Sequence, residues 1–279
     1  MSEQAPRARE RELRKARIRR RRLIVVGGLV GVFITVLTGI VVATATPHRQ
    51  ASAKPGTTPT PPVASTLPVA STPPAPTTPT APPEVAFDRS THSLDDTTSI
   101  WVVVNKTRPL NPLMFVPSDL VDVPVPHTWA PQLRKEASDA VVTMFSAATS
   151  EAQLTLASNS AYRSYSAQQS VYTGDDTTTA RPGFSEHQTG LAIDIGAKSG
   201  ICSLSVCFAQ TKEGIWLRDN AWKYGFILRY PADKTLITGY SYEPWHFRYV
   251  GVALSTQMHN TATETLEEFF ELPAAPDYR

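Results

Sequence analysis

Ser185-Glu186-His187-Gln188-Thr189-Gly190-Leu191-Ala192-Ile193-Asp194 is the stretch on which the reading of this chain turns. Leu191, Ile193 and Ile195 alternate with Ala192 and Asp194, the period-two pattern of a strand, so Asp194 lies on the face opposite the apolar set. His187 sits in the loop before that strand. Gly190, free to take backbone angles other residues avoid, lets the chain turn so that imidazole and carboxylate converge. A second stretch, Glu243-Pro244-Trp245-His246, opens another apolar run. If the two strands lie side by side, His187, Asp194 and His246 surround one point. Two imidazoles and a carboxylate suit zinc, and three protein ligands leave a fourth position for water, as in catalytic rather than structural sites. Glu243 is placed to take a proton from that water. Pro244 argues against Glu243 and His246 sharing a helix interior, which excludes the helical H-E-x-x-H arrangement. On an ideal strand, positions three apart face opposite sides, so a bend at Pro244-Trp245 must aim both side chains at one ion.

Outward from these stretches, the chain divides by composition. Residues 1–22 hold ten Lys/Arg against three Glu, whereas the remaining residues hold 17 against 22, so the net charge of +2 hides two oppositely charged parts. Residues 23–43 are uncharged and mostly apolar, long enough at 1.5 Å per residue to span roughly 30 Å of bilayer core. Arg19 to Arg22 abut this run, which puts the N-terminus in the cytoplasm and the rest outside. The basic tail therefore reads as a topology determinant, and no nucleic-acid partner is expected. Ala43-Thr44-Ala45 resembles a signal-peptidase site, but the apolar run exceeds the roughly 7–15 residues of a signal core. We read an uncleaved single-pass anchor in the cell membrane. Residues 44–84 are rich in Pro, Thr, Ala and Ser without apolar period, a linker that reaches roughly 120 Å if fully extended. Residues 85–279 form the extracytoplasmic domain, expected to be monomeric. Cys202 and Cys207 are the only cysteines, and outside the cytoplasm they are expected to pair as a disulfide.

Within that domain the patterning predicts strands over residues 99–104, 154–157, 226–230 and 247–250. It predicts helices over 130–148, 166–172, 216–224 (closed by Gly225) and 266–270. Strands and helices alternate without regular βαβ spacing, so the expected class is α+β, with a mostly antiparallel central sheet and flanking helices after the N-terminal transmembrane helix. His92, His127 and His259 read as surface or packing residues, Asp175-Asp176 as a solvated turn, and Glu267-Glu268 as an exposed helix face. Glu186 either supports the site or faces solvent.

Ser160-Ala161-Tyr162-Arg163-Ser164-Tyr165-Ser166-Ala167-Gln168, followed by the two stretches above, resembles the VanY-type D-alanyl-D-alanine carboxypeptidases. These belong to a zinc peptidase superfamily that includes the VanX dipeptidases, with the hedgehog domain as a relative. Val104-Asn105-Lys106, Leu110-Asn111-Pro112, Val116-Pro117 and Asp119-Leu120 extend the likeness, which covers residues 98–272. The resemblance implies a hedgehog/D-Ala-D-Ala-peptidase-like fold. It implies Zn2+ on His187, Asp194 and His246, with Glu243 as general base and then acid. It implies Arg163 as the oxyanion or substrate anchor, and Gln168, Ser185 and Trp245 as substrate contacts. The implied activity is a D,D-carboxypeptidase that trims terminal D-Ala from peptidoglycan stem peptides, which suits an exported domain on a long spacer. An L,D-carboxypeptidase or a D,D-dipeptidase would use the same chemistry. A non-catalytic zinc-stabilised wall-binding module is the reading from another class, and it needs neither Glu243 nor Arg163.

Overall fold

A strand is useful to this site only if its neighbours fix which side chains stand opposite each other. The computed structural model describes residues 87–279; the expected tail, membrane span and linker lie outside the described residues. Among the described residues no helix is long and apolar enough to cross a membrane.

In chain order, β1 (Leu120–Asp122) and β2 (Gln132–Arg134) pair antiparallel as a small two-stranded sheet. The chain passes from Arg134 directly into α1 (Lys135–Ala152). Ala137, Val141, Met144, Phe145 and Ala148 recur at helical spacing, and all five are buried on one face. Burial of Val141 or Met144 contributes about 1.5–3 kcal/mol each. Gln153, in the left-handed conformation at φ 59°, ends the helix and donates its N–H to Thr149 O. There follow β3 (Leu156–Ser160), α2 (Tyr165–Val171) and a 3-10 turn at Glu186–Thr189. Next come β4 (Ala192–Ala197), a 3-10 turn at Val206–Gln210 and α3 (Lys212–Asn220). A further 3-10 turn at Ala221–Tyr224 leads to β5 (Phe226–Leu228) and α4 (Thr235–Thr238). The chain closes with β6 (His246–Tyr249), α5 (Val252–Asn260) and α6 (Leu266–Phe269).

The main sheet has the order β3-β4-β6-β5 and every pairing is antiparallel. β4 is central and all six of its residues are buried. Ile193 and Ile195 join Phe247, Phe226, Leu133, Val141 and Met144 in the main core, while Trp101, Val103, Leu254, Leu266 and Phe269 build a second core beneath α5 and α6. The decisive register is Asp194 opposite His246, with Ser160 opposite Asp194 on the other side. Directly opposed residues of an antiparallel pair share a face, so the apolar partners Ile193 and Phe247 face the core and Asp194 and His246 face away together.

The α+β class with an antiparallel sheet and flanking helices is as expected. Several element bounds are not. Residues 99–104 form no strand: Trp101 to Val104 are buried as irregular chain, and side chains occupy their carbonyls. Arg248 Nη2 donates to Ile100 O and Val102 O, and Arg108 Nε donates to Val103 O. These bonds replace a strand partner. The helix expected from residue 130 begins at Lys135, because Gln132–Arg134 pair with β1 first. The helix expected over 216–224 begins at Lys212 under a Thr211 cap, whose hydroxyl accepts Gly214 N–H, and tightens to 3-10 after Asn220.

Candidate functional site

His187 lies in the 3-10 turn that Gly190 ends at φ 68°. A Cβ there would come within 2.9 Å of Leu120 Cδ2, so glycine meets both the backbone angle and the space. The turn is tied to the end of β3: Arg163 N–H donates to His187 O (3.1 Å), and His187 Nδ1 lies 2.7 Å from Ala161 O. A carbonyl only accepts, so Nδ1 carries the proton and Nε2 presents its lone pair. That Nε2 is 3.4 Å from Asp194 Oδ2, and His246 Nδ1 is 3.0 Å from Asp194 Oδ1. The two imidazoles stand 4.9 Å apart, nearly perpendicular. All three residues are buried, and their ligand atoms lie within 4.8 Å of one another. Tetrahedral zinc with bonds of about 2.0–2.1 Å separates its ligand atoms by about 3.3 Å. The neutral Nε2, the carboxylate and the second imidazole therefore suit that ion in chemistry and lie close enough to converge on it.

Glu243 reaches the site through the bend that the sequence required. His246 N–H donates to Glu243 O (3.0 Å), closing a β-turn with Pro244 in its second position. Glu243 Oε2 then lies 3.8 Å from His246 Nδ1. Burial raises the Glu243 carboxyl to about 7, with the Asp194 charge adding to it and His246 and Arg163 opposing it. A carboxylate at that value can take and return a proton near neutrality. Burial would also raise Asp194, but the His187 and His246 contacts outweigh it and hold Asp194 well below the usual carboxylate range. His187 is lowered by burial, so its neutral form is favoured. Arg163 is mostly buried, and that burial lowers its pKa against the attraction of Asp194 and Glu243. Its Nε has no hydrogen-bond partner.

These groups open onto a cavity of about 210 Å³. Arg163, Ser185, His187, Asp194, Glu243, Trp245 and His246 all line it. Gln168 does not: it is fully buried and donates Nε2–H to Ala180 O (2.7 Å), behind the wall that Ala180 forms. Cys202 and Cys207 are disulfide-bonded, and the loop they close carries Leu204 to the cavity. Glu186 also borders it, as do Tyr230, Tyr240 and Thr178 to Ala180, these last marked by no sequence pattern. Of the two alternatives for Glu186 the solvent-facing one fails, and the exposed face expected for Glu267 is corrected. Glu186 does not face solvent; it is 1% exposed and accepts from Arg229 and Arg248. Glu267 is not on an exposed face; it is 1% exposed and accepts both terminal nitrogens of Arg229. An apolar-flanked arginine on β6 and another just past the end of β5 were the only trace of this cluster in the sequence.

The family model for VanY, D-alanyl-D-alanine carboxypeptidase, matches residues 130–252. The Bacillus subtilis (strain 168) protein named as the carboxypeptidase YodJ is 42% identical over 193 residues, which cover 64% of this chain and 70% of that protein. The chain belongs to the VanY D-alanyl-D-alanine carboxypeptidase family. Solved structures agree with that membership. The LdcB LD-carboxypeptidase superposes with a TM-score of 0.59 at 43% identity, over 63% of this chain and 87% of its own. A variant of the vancomycin-resistance D,D-pentapeptidase VanY in complex with Zn(II) gives 0.51 at 33% identity, over 61% and 97%.

Proposed function

We propose that this VanY-family chain is a zinc-dependent D,D-carboxypeptidase that removes the terminal D-Ala from peptidoglycan stem peptides. The observation that carries the proposal is one small cavity holding a three-ligand metal set, a carboxyl raised to about 7 and a buried guanidinium with an unpartnered nitrogen. A binding module would need only the first.

In this reading His187 Nε2, Asp194 and His246 Nδ1 hold the ion. Zinc there supplies Lewis acidity, polarising a carbonyl and acidifying a water. Glu243 takes the proton from the attacking water and then returns it to the leaving amine nitrogen, which explains the need for a carboxyl poised near neutrality. Arg163 carries a permanent positive charge and a forked set of donors, so it holds the substrate's terminal carboxylate or the oxyanion that forms at the scissile carbon. Ser185 and Trp245 shape the same cavity, and Gln168 acts from behind by fixing the Ala180 carbonyl. Residues 23–43 anchor the chain in the membrane and residues 44–84 let the domain reach into the wall, with the catalytic domain outside the cytoplasm. This last part rests on composition alone.

A second reading, cleavage of an L,D bond in a tetrapeptide stem, is favoured by the higher identity and TM-score of the LdcB LD-carboxypeptidase match. Mass spectrometry of products separates the two. Full-length protein with zinc should shorten a pentapeptide stem by one D-alanine and leave a tetrapeptide intact. Shortening of the tetrapeptide alone would give the L,D reading, and binding without any cleavage would give a wall-binding module.

A further inference from the structure

Arg229 and Arg248 head the largest fully buried side chains among the described residues, and both are 0% exposed. Burying a charge costs several kcal/mol unless it is paired and hydrogen-bonded, so each donor needs an account. Arg229 gives Nη1 and Nη2 to Glu267 (2.9 and 2.7 Å) and Nε to Glu186 Oε1 (2.8 Å). Arg248 gives Nη1 to the same Glu186 Oε1 (2.8 Å), Nε to Tyr249 O, and Nη2 to the carbonyls of Ile100 and Val102. Asn105 Nδ2 adds a third donor to Glu267 (2.9 Å). Two cations meet two carboxylates, yet Glu186 Oε2 is buried with no partner at all.

The atom facing it is the other nitrogen of a residue in the site. His246 Nε2 is also buried without a partner, and it lies 3.7 Å from Glu186 Oε2. A shift of about 0.5–0.9 Å brings the two to hydrogen-bond length. Only one tautomer makes that contact favourable. With the proton on Nε2, His246 donates to the carboxylate, and Nδ1, 3.0 Å from Asp194 Oδ1, keeps a lone pair for an ion shared with Asp194; without an ion that contact takes a proton of its own. With a neutral ring protonated only on Nδ1 instead, the Nε2 lone pair would face the lone pairs of the buried Glu186 Oε2. The Ala161 carbonyl does the same for His187 from the opposite nitrogen.

We infer that Glu186 is a positioning residue. It accepts the Nε2–H of His246 and so presents Nδ1 to the metal, while Arg229 and Arg248 hold that carboxylate in place. The inference rests on the proposed zinc site and deepens it. It explains why a hydrophobic domain core keeps a buried charge quartet: the quartet links the metal-binding strand β6 to α6 and to the irregular segment at residues 100–105.

The test uses full-length protein with 15N-labelled histidine, loaded with 113Cd as an NMR-active stand-in for zinc. The inference predicts cadmium coupling through Nε2 of one histidine, His187, and through Nδ1 of another, His246, whose Nε2 proton is protected from exchange. Coupling through Nε2 of both histidines would overturn it while leaving the metal site intact. Failure to bind cadmium or zinc at all would sink the proposed function together with it. Glu186→Ala and Glu267→Ala supply a second reading of the same claim, because each removes one carboxylate of the quartet but only Glu186 meets His246. Zinc affinity should fall about 10- to 100-fold in the first and stay unchanged in the second. Equal losses in both would reduce the quartet to a purely structural element. Should either variant fail to fold, the wild-type coupling pattern still decides.

Discussion

His246 looks onto two charged clusters, and they differ in what they leave undone. On its Nδ1 side, Asp194, Glu243 and Arg163 line a cavity, Arg163 Nε lacks a partner and the Glu243 carboxyl is raised to about 7. On its Nε2 side, Glu186, Arg229, Arg248 and Glu267 are sealed from solvent, and four hydrogen bonds run among the four side chains. Both clusters mix carboxylates with arginine. The front leaves Arg163 Nε without a partner beside a cavity, whereas the charges at the back are paired with one another and only Glu186 Oε2, facing His246, is left over. Electrostatic groups that are fixed in advance but unpaired favour charge that develops during a reaction. Groups that are fully paired hold geometry.

Substitutions on the two sides should therefore fail in different ways. The largest effect belongs to Glu243→Ala. kcat should fall about 10³- to 10⁴-fold while zinc content and thermal midpoint stay near wild type. Loss of zinc with the activity would make Glu243 a ligand and erase the distinction between base and metal set. Next in size is Arg229→Ala at the back, which leaves the buried Glu267 carboxylate without a cation and Glu186 with Arg248 alone. Chemical denaturation should show about 3–5 kcal/mol of lost stability, and a value near zero would mean the cluster is not the sealed network described. Arg163→Ala, at the front again, should lower kcat/KM about 10²- to 10³-fold with little change in stability. A stability loss as large as that of Arg229→Ala would blur the comparison. The smallest effect is of pH on the metal-free protein. Burial would raise Glu186, but Arg229 and Arg248 outweigh it and hold the carboxyl well below its ordinary value of 4.5. The stability from this group is thus fully present above pH 4.5 and is lost as pH falls toward the folded value, at about 1.4 kcal/mol per unit. Urea midpoints at pH 5.5 and 3.5 should show that loss in wild type and a smaller one in Glu186→Ala.

The front was readable from sequence and the back was not, for a physical reason. Metal ligation and proton transfer demand particular residue types at particular spacings, so His187, Asp194, Glu243 and His246 stood out before any fold was known. Pro244 even announced the bend that the β-turn makes. A charged residue carries no mark of the partner that will bury it. Glu267 sits in an acidic pair that looks solvent-facing, and its burial depends on Arg229, 38 residues earlier. Irregular segments are hidden in the same way. Residues 99–104 have the composition of a strand, but their carbonyls are taken by the guanidiniums of Arg248 and Arg108, a tertiary bond that no local pattern encodes. The order of the main sheet was legible only in class, since its Asp194–His246 register joins residues 52 apart.

The most direct test of the account is a zinc titration of the metal-free full-length protein, following D-alanine released from a pentapeptide stem. One equivalent of zinc should restore full turnover in wild type, and none should restore it in His187→Ala. Release that proceeds in the presence of a strong chelator, or that saturates without bound zinc, would contradict it.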